Sequence, residues 1–65
     1  MVHTLINVNQ IQSIEIGEIQ NTIKITLLNG TRYFEEYSNS DEAINRFYGL
    51  ERTTKQFILT DGKIR

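Results

Sequence analysis

The sequence predicts a small α+β domain, in which one helix packs on one face of a twisted, mainly antiparallel β-sheet. Three observations predict this. Residues 22–27 alternate between polar and apolar, Asn29-Gly30 is a typical hairpin turn, and residues 38–50 carry apolar side chains at helical spacing. The predicted element order is β-β-β-β-α-β. With 65 residues, the chain makes a single domain spanning residues 1–65.

The first two strands are predicted on either side of the polar pair Asn9-Gln10. Before this pair lies the apolar run at residues 5–8. After it, Ile14 and Ile16 alternate with polar residues, which is the period of a half-buried strand.

The stretch TIKITLLNGTRYFEEY, residues 22–37, predicts the third and fourth strands as a hairpin around Asn29-Gly30. Two registers are open. A two-residue loop places Phe34 in the core beside Ile25, and Lys24 then pairs with a glutamate on the outer face. The outer face carries three side chains in this register: Tyr33, Glu35 and Tyr37.

A loop that is one residue longer, with the glycine as a bulge, reverses every side chain beyond the turn. Tyr33 and Tyr37 then point inward with Glu35, and Phe34 is exposed. The two-residue loop is favoured, because the longer loop takes a carboxylate into the core. Either register leaves at least one large aromatic side chain on the outer face.

The helix is predicted to begin at Ser38 or Ser40, either of which can cap the free backbone N–H groups. Its apolar stripe consists of Ala43, Ile44, Phe47 and Tyr48. Gly49 is expected to end the helix in the left-handed conformation and to let Leu50 fold back onto Ile44.

A final strand is predicted within residues 53–62, ended by the Asp61-Gly62 turn. The expected core brings strand residues against helix residues. These are Ile11, Ile14, Ile16, Ile23, Ile25 and Leu27 from the strands, with Ala43, Ile44, Phe47 and Leu50 from the helix.

This layout resembles that of short bacterial flagellar proteins of the FlbD/SwrD type over about residues 5–48. The matching motifs are Ile6-Asn7, Ile11 to Ile14-Glu15, the alternating stretch from Thr22 to Leu27, Gly30, and Ser38 to Asp41-Glu42. The resemblance implies a non-enzymatic protein associated with motility or membrane machinery. The sequence departs from that pattern at Ile19-Gln20-Asn21, where the family has Pro-Asp, and in its additional C-terminal strand.

Composition argues against several chemistries. The chain has no cysteine and a single histidine, His3, so thiolate chemistry and histidine-rich metal sites are not expected. Glu35 and Glu36 are adjacent on a strand and point to opposite faces, so they cannot act as one carboxylate pair. We therefore predict no enzymatic activity and no catalytic, cofactor or metal-binding residues. The absence of a signal sequence and of a long apolar run predicts a cytoplasmic protein that does not insert into membranes.

The leading interpretation is a protein-interaction module, such as a small inhibitor or adaptor of the kind that phages and plasmids encode. It would dock its sheet face or a sheet edge to itself or to another protein, and we expect a homodimer or a higher closed oligomer. The strands at residues 5–8 and 57–59 are expected to add unpaired edges. The candidate interaction surface consists of Lys24, Arg32, Tyr33, Phe34, Glu35 and Tyr37.

A nucleic-acid-binding accessory protein is the alternative, and a flagellar protein is the second alternative. Residues 46–65 carry a net charge of +3, whereas residues 1–45 carry −4. The candidate phosphate contacts are Arg52, Lys55, Lys63 and Arg65. The overall net charge of −1 argues against nucleic acid, because domains that bind it are usually strongly basic.

Overall fold

A computed structural model describes residues 3–17 and 21–64 of the chain. These residues form six strands and one α-helix, which confirms the predicted α+β fold class. The strands are β1 (Thr4–Asn7), β2 (Ile11–Gly17), β3 (Thr22–Leu27), β4 (Arg32–Glu36), β5 (Phe57–Thr60) and β6 (Lys63–Ile64), and the helix is α1 (Ser40–Glu51). A short 3₁₀ helix at Val8–Gln10 separates β1 from β2.

The strands of the described residues lie in two antiparallel sheets. One has the order β2-β3-β4-β6 and the other pairs β1 with β5. The chain runs from β1 through the 3₁₀ helix into β2, and from β5 through Asp61 and Gly62 into β6. The chain therefore passes from one sheet to the other at two places. β6 is an addition to the predicted element order.

The pairing of β1 with β5 limits one expectation without removing it, because each strand keeps one edge that no other described strand pairs with. The strands at residues 5–8 and 57–59 were expected to offer unpaired edges, but Leu5 lies opposite Leu59 and Ile6 lies opposite Ile58. Each strand therefore has one edge covered by the other.

The core lies between the strands of both sheets and α1. Its buried apolar residues are Ile6, Ile23, Ile25, Ala43, Leu50 and Ile58. Around them pack partly buried side chains that include Ile11, Ile14, Ile16, Leu27 and Phe47. Most of the predicted core is thus present, together with Ile6 and Ile58 from the second sheet.

Ile44 was predicted in the core, and that assignment is wrong because its side chain is 38% exposed. Ala43, Phe47 and Leu50 follow the i, i+4, i+7 spacing that places three residues on one helix face. That face packs on the core. Ile44 is the residue after Ala43, so its side chain points to the side of the helix and away from the centre of this face.

Both predicted ends of α1 need correction. The N-cap is Asn39 instead of Ser38 or Ser40, and its side-chain oxygen accepts a hydrogen bond of 2.9 Å from the N–H of Glu42. At the other end the helix continues through Gly49 to Glu51. Gly49 does not adopt a positive φ, so it does not end the helix in the left-handed conformation.

The hairpin adopts the longer loop, so the favoured two-residue register is wrong. Leu27 donates to the carbonyl of Thr31 at 2.8 Å and accepts from the N–H of Gly30 at 3.0 Å. Gly30 has a φ of 91°, the left-handed conformation that a glycine bulge supplies. As a result, Tyr33 lies opposite Ile25 and Glu35 lies opposite Ile23.

Gly30 and Gly49 are expected to respond in opposite ways to substitution by alanine. Gly30→Ala should lower the free energy of unfolding by about 1 kcal/mol, because a Cβ is strained at positive φ. Gly49→Ala should raise it by about 1 kcal/mol, because alanine is the better helix former and nothing lies within 4 Å of the added Cβ. Urea unfolding of both variants measures these effects.

A helix that ended at Gly49 in the left-handed conformation would give a different result. In that case both substitutions would destabilise the protein by similar amounts, and the assignment of α1 through Glu51 would be contradicted.

Candidate functional site

Glu35 is the most unusual buried residue of the structure. The hairpin register places its side chain on the inner face of β4, opposite the fully buried Ile23, and only 2% of Glu35 is exposed. A charged carboxylate in such a place is strongly destabilising unless other groups pair with it and donate hydrogen bonds. The site is therefore defined by the partners of Glu35.

The first partner is Arg46 on α1. Its Nε donates to Glu35 Oε1 at 3.0 Å and its Nη2 donates to Glu35 Oε2 at 3.0 Å, a two-pronged ion pair. Nη2 also donates to the backbone carbonyl of Leu59 on β5 at 2.8 Å. Arg46 follows Ala43 by three residues and precedes Leu50 by four, so it shares the helix face that packs on the strands.

Two hydroxyl groups complete the set of donors. Tyr37 OH donates to Glu35 Oε1 at 2.7 Å, and Thr60 Oγ1 donates to Glu35 Oε2. The backbone N–H of Gly62 in turn donates to Thr60 Oγ1 at 2.9 Å, which orients that hydroxyl. We call Glu35, Tyr37, Arg46 and Thr60 the Glu35 cluster. It connects the β4 segment, α1 and β5.

Gly62 allows β5 and β4 to approach each other at this cluster. A Cβ at position 62 would lie 3.0 Å from Thr60 Oγ1 and 3.1 Å from Glu35 Cγ. These distances are too short for an ordinary carbon contact. The Asp61-Gly62 turn therefore serves the packing of the cluster as well as the change of direction.

The electrostatics of the cluster keep Glu35 ionised. Burial alone raises its pKa, but the hydrogen bonds from Arg46, Thr60 and Tyr37 outweigh burial, and the pKa lies below the ordinary value of 4.5. Burial and the bond to Glu35 raise the pKa of Tyr37, so this phenol stays protonated. The hydrogen bond to Glu35 raises the pKa of Arg46. The cluster is thus a carboxylate anion, a guanidinium cation and two neutral hydroxyl donors.

This arrangement has a structural role and is poorly suited to proton transfer. Glu35 accepts four hydrogen bonds, which occupy the roughly four lone-pair positions of a carboxylate. A general base needs a free lone pair and a pKa near the working pH, and Glu35 has neither. Among the described residues, no group of three or more His, Asp or Glu side chains is placed to hold a metal ion.

The predicted interaction surface is divided between the two faces of the β3–β4 hairpin. Glu35 is buried, and the half-buried Tyr33 and Tyr37 pack against the core, so these three do not form an outer surface. Phe34 lies opposite Lys24 on the other face. Lys24 pairs with Glu15 of β2 at 3.5 Å, not with Glu35 as the favoured register required.

Arg32 is the remaining member of that predicted surface. It is exposed at the start of β4, beside the hairpin turn. The six residues therefore do not form one continuous docking face.

An apolar surface that the sequence did not single out lies on the β1–β5 sheet. Leu5, Phe57 and Leu59 are exposed by 68%, 46% and 53%. They share one face, because Leu5 is opposite Leu59 and Phe57 is two residues away on the same strand. The sequence signal for this surface was the run Phe57-Ile58-Leu59. Because all three residues are apolar, the sequence does not indicate which of them face outward.

A groove of about 660 Å³ runs between this surface and the C-terminal half of α1. We call it the β5 groove. Its apolar lining includes Leu5, Leu50, Phe57 and Leu59, and its polar lining includes Arg46 and Lys55.

The predicted phosphate contacts do not come together. Lys55 lines the β5 groove, whereas Lys63 lines a separate cleft together with Glu36 and Asp61. Arg52 is exposed at the end of α1, and Arg65 lies outside the described residues.

Comparisons of the chain with models of known protein families, with curated proteins and with solved structures find no match. They therefore give no support to the resemblance to FlbD/SwrD-type flagellar proteins. In the described part of the chain, no helix has the length and apolar character needed to cross a membrane. The fold and the Glu35 cluster define a small α+β domain stabilised by an internal ion pair.

Glu35→Gln should lower the free energy of unfolding by about 3 kcal/mol at pH 7, because it leaves Arg46 without its counter-charge. A carboxylate with a lowered pKa stabilises the folded state above the unfolded value and loses that effect as pH falls through the folded value. The difference between wild type and variant should therefore be largest above about pH 5 and should shrink in acid. Urea unfolding across this pH range measures it.

Glu15→Gln is the matched control, since Glu15 forms an ion pair with Lys24 on the surface. Its effect should stay below about 0.5 kcal/mol at every pH. A difference between wild type and Glu35→Gln that does not change with pH would contradict the ionised state of Glu35.

Proposed function

We propose that this protein is a non-enzymatic protein-interaction module that docks a partner protein on the outer face of its β1–β5 sheet. The observation that carries the proposal is the exposure of Leu5, Phe57 and Leu59 side by side, next to a groove. Large apolar side chains grouped on a surface are typical of docking sites. Aromatic residues such as Phe57 are also enriched at the centres of interfaces.

The pattern of β5 supports a binding role for this face. A strand with one face in water normally alternates apolar-in and polar-out. In β5 the inward residues Ile58 and Thr60 are buried, yet the outward residues Phe57 and Leu59 are also apolar. Because Ile58 already supplies the inward apolar side chain, the exposed parts of Phe57 and Leu59 are available to a partner.

The Glu35 cluster supports a rigid docking scaffold in place of catalysis. Its carboxylate has no lone pair left for a substrate, and its hydrogen bonds join the β4 segment, α1 and β5. A short chain with a fixed docking face acts by occluding or bridging, which is the role of an inhibitor or adaptor. Nucleic acid is less well supported, because Lys63 shares its cleft with Glu36 and Asp61.

Leu59→Glu should abolish partner binding and leave the fold intact, since the side chain points outward and is 53% exposed. Leu28→Glu is the matched control, with the same change at a 61% exposed position in the hairpin turn. Tagged forms of the three proteins are used for affinity capture from the native host. A protein retained by wild type and Leu28→Glu but lost from Leu59→Glu is the expected result, and equal capture by all three proteins would contradict the proposal.

Sedimentation velocity on the same three proteins tests whether the partner is a second copy. A dimer that Leu59→Glu dissociates and Leu28→Glu preserves would make the chain its own partner on this face. A dimer unaffected by either change would place self-association on another surface.

A further inference from the structure

The β5 groove has features that define the chemistry of its occupant. We infer that the groove binds an extended segment of a partner protein that presents large apolar side chains flanked by carboxylates. The segment would lie along the edge of β5 at Phe57, next to the point where Arg46 bonds the carbonyl of Leu59. This inference rests on the docking function proposed for the β1–β5 face, and three sets of observations carry it.

The first concerns the backbone of β5. In an antiparallel pair, residues alternate between positions bonded to the neighbouring strand and positions whose N–H and C=O groups point away from it. Val8 donates to the carbonyl of Gln56 at 2.8 Å, so the bonded positions on this strand are 56, 58 and 60. The backbone groups of Phe57 and Leu59 therefore point away from β1.

The contact made by Arg46 shows that the edge of β5 opposite β1 is turned toward α1. Its Nη2 donates to the carbonyl of Leu59, so the outward edge of β5 faces α1 and borders the groove. The N–H groups of Phe57 and Leu59 and the carbonyl of Phe57 lie on the same edge. Such a row of backbone groups is a template for an added strand.

The second set is the apolar lining. Leu5, Phe57 and Leu59 form the exposed wall, and the buried Leu50 and Ile58 also contribute to the lining. The volume of about 660 Å³ falls within the usual size range of ligand pockets. These residues favour a segment with alternating large apolar side chains.

The third set is the charge. The described residues that line the groove include the cations Arg46 and Lys55 and no carboxylate. Glu35 offsets the charge of Arg46, but the ion pair uses only Nε and Nη2. Nη1 takes part in none of these bonds, and Asp61 lines a neighbouring cleft together with Arg46 and Leu59.

Lys55 supplies the net positive charge of the groove, because Glu35 offsets the charge of Arg46. An acidic partner meets complementary charge, and it is the occupant we infer.

The test selects peptides from a random displayed library on the immobilised protein and measures the affinities of the synthesised winners. They should combine large apolar residues with Asp or Glu. Leu59→Glu should weaken binding by about thirtyfold or more, and Lys55→Glu by about tenfold. Arg32→Glu, a charge reversal at an exposed residue remote from the groove lining, should leave the affinity unchanged.

N-methylation of the winning peptide tests the added strand. Two methylated versions of the peptide are compared, one with methyl groups on the odd-numbered backbone nitrogens and one with them on the even-numbered nitrogens. One version should lose binding and the other should keep it, because only alternate amides face β5. Equal affinity of the two methylated versions would overturn the extended geometry.

The outcomes separate this inference from the proposed function. Winning peptides that carry basic residues and still depend on Leu59 would overturn the inference and leave the docking face intact. Selected peptides that bind Leu59→Glu as tightly as wild type would overturn both the inference and the proposed function. A selection that yields no binding peptide would do the same. A dimer dissociated by Leu59→Glu would assign the groove to a second copy and also overturn the inference.

Discussion

The ion pair between Glu35 and Arg46 is the constraint on which the rest of this structure depends. A buried carboxylate must find donors on several sides, and here they come from the neighbouring Tyr37 and from two segments distant in sequence, α1 and β5. The register of the β3–β4 hairpin, the orientation of α1 and the approach of β5 therefore have to be correct together. If any one of these three features were different, a charge in the core would have no partner.

This dependence explains which parts of the fold the sequence predicts and which it does not. Alternation in β3, a turn at Asn29-Gly30 and a helix after Ser38 are local patterns, and each appears where it was expected, although Ile44 and Tyr48 of the predicted stripe are exposed. The register is not local. Pairing Lys24 with Glu35 is the better choice for an isolated hairpin, but Arg46 lies 11 residues beyond Glu35 and Thr60 lies 25 beyond it. Their donors make burial of the carboxylate acceptable, and no short stretch of sequence reveals that.

The exposed apolar face of the β1–β5 sheet was missed for a related reason. Phe57, Ile58 and Leu59 are all apolar, so the period of the strand does not show which side faces the core. The structure resolves this through Ile58, which is buried opposite Ile6, and this leaves Phe57 and Leu59 outside. Arg46 connects the two parts of the molecule: one edge of its guanidinium neutralises Glu35, while its bond to Leu59 determines how the β5 groove meets α1. Core stability and the shape of the groove are therefore coupled.

A double-mutant cycle on Glu35 and Arg46 tests the central claim most directly, with Glu35→Leu, Arg46→Met and the double variant unfolded in urea at neutral pH. Arg46→Met leaves the buried Glu35 without its partner and should cost about 3 kcal/mol, whereas Glu35→Leu leaves the half-buried Arg46 unpaired and should cost somewhat less. The double variant removes both charges, so it should be more stable than the sum of the single effects predicts by about 2 kcal/mol or more. Additivity of the two effects within about 0.5 kcal/mol would show that the pair does not act as a unit and would contradict this account.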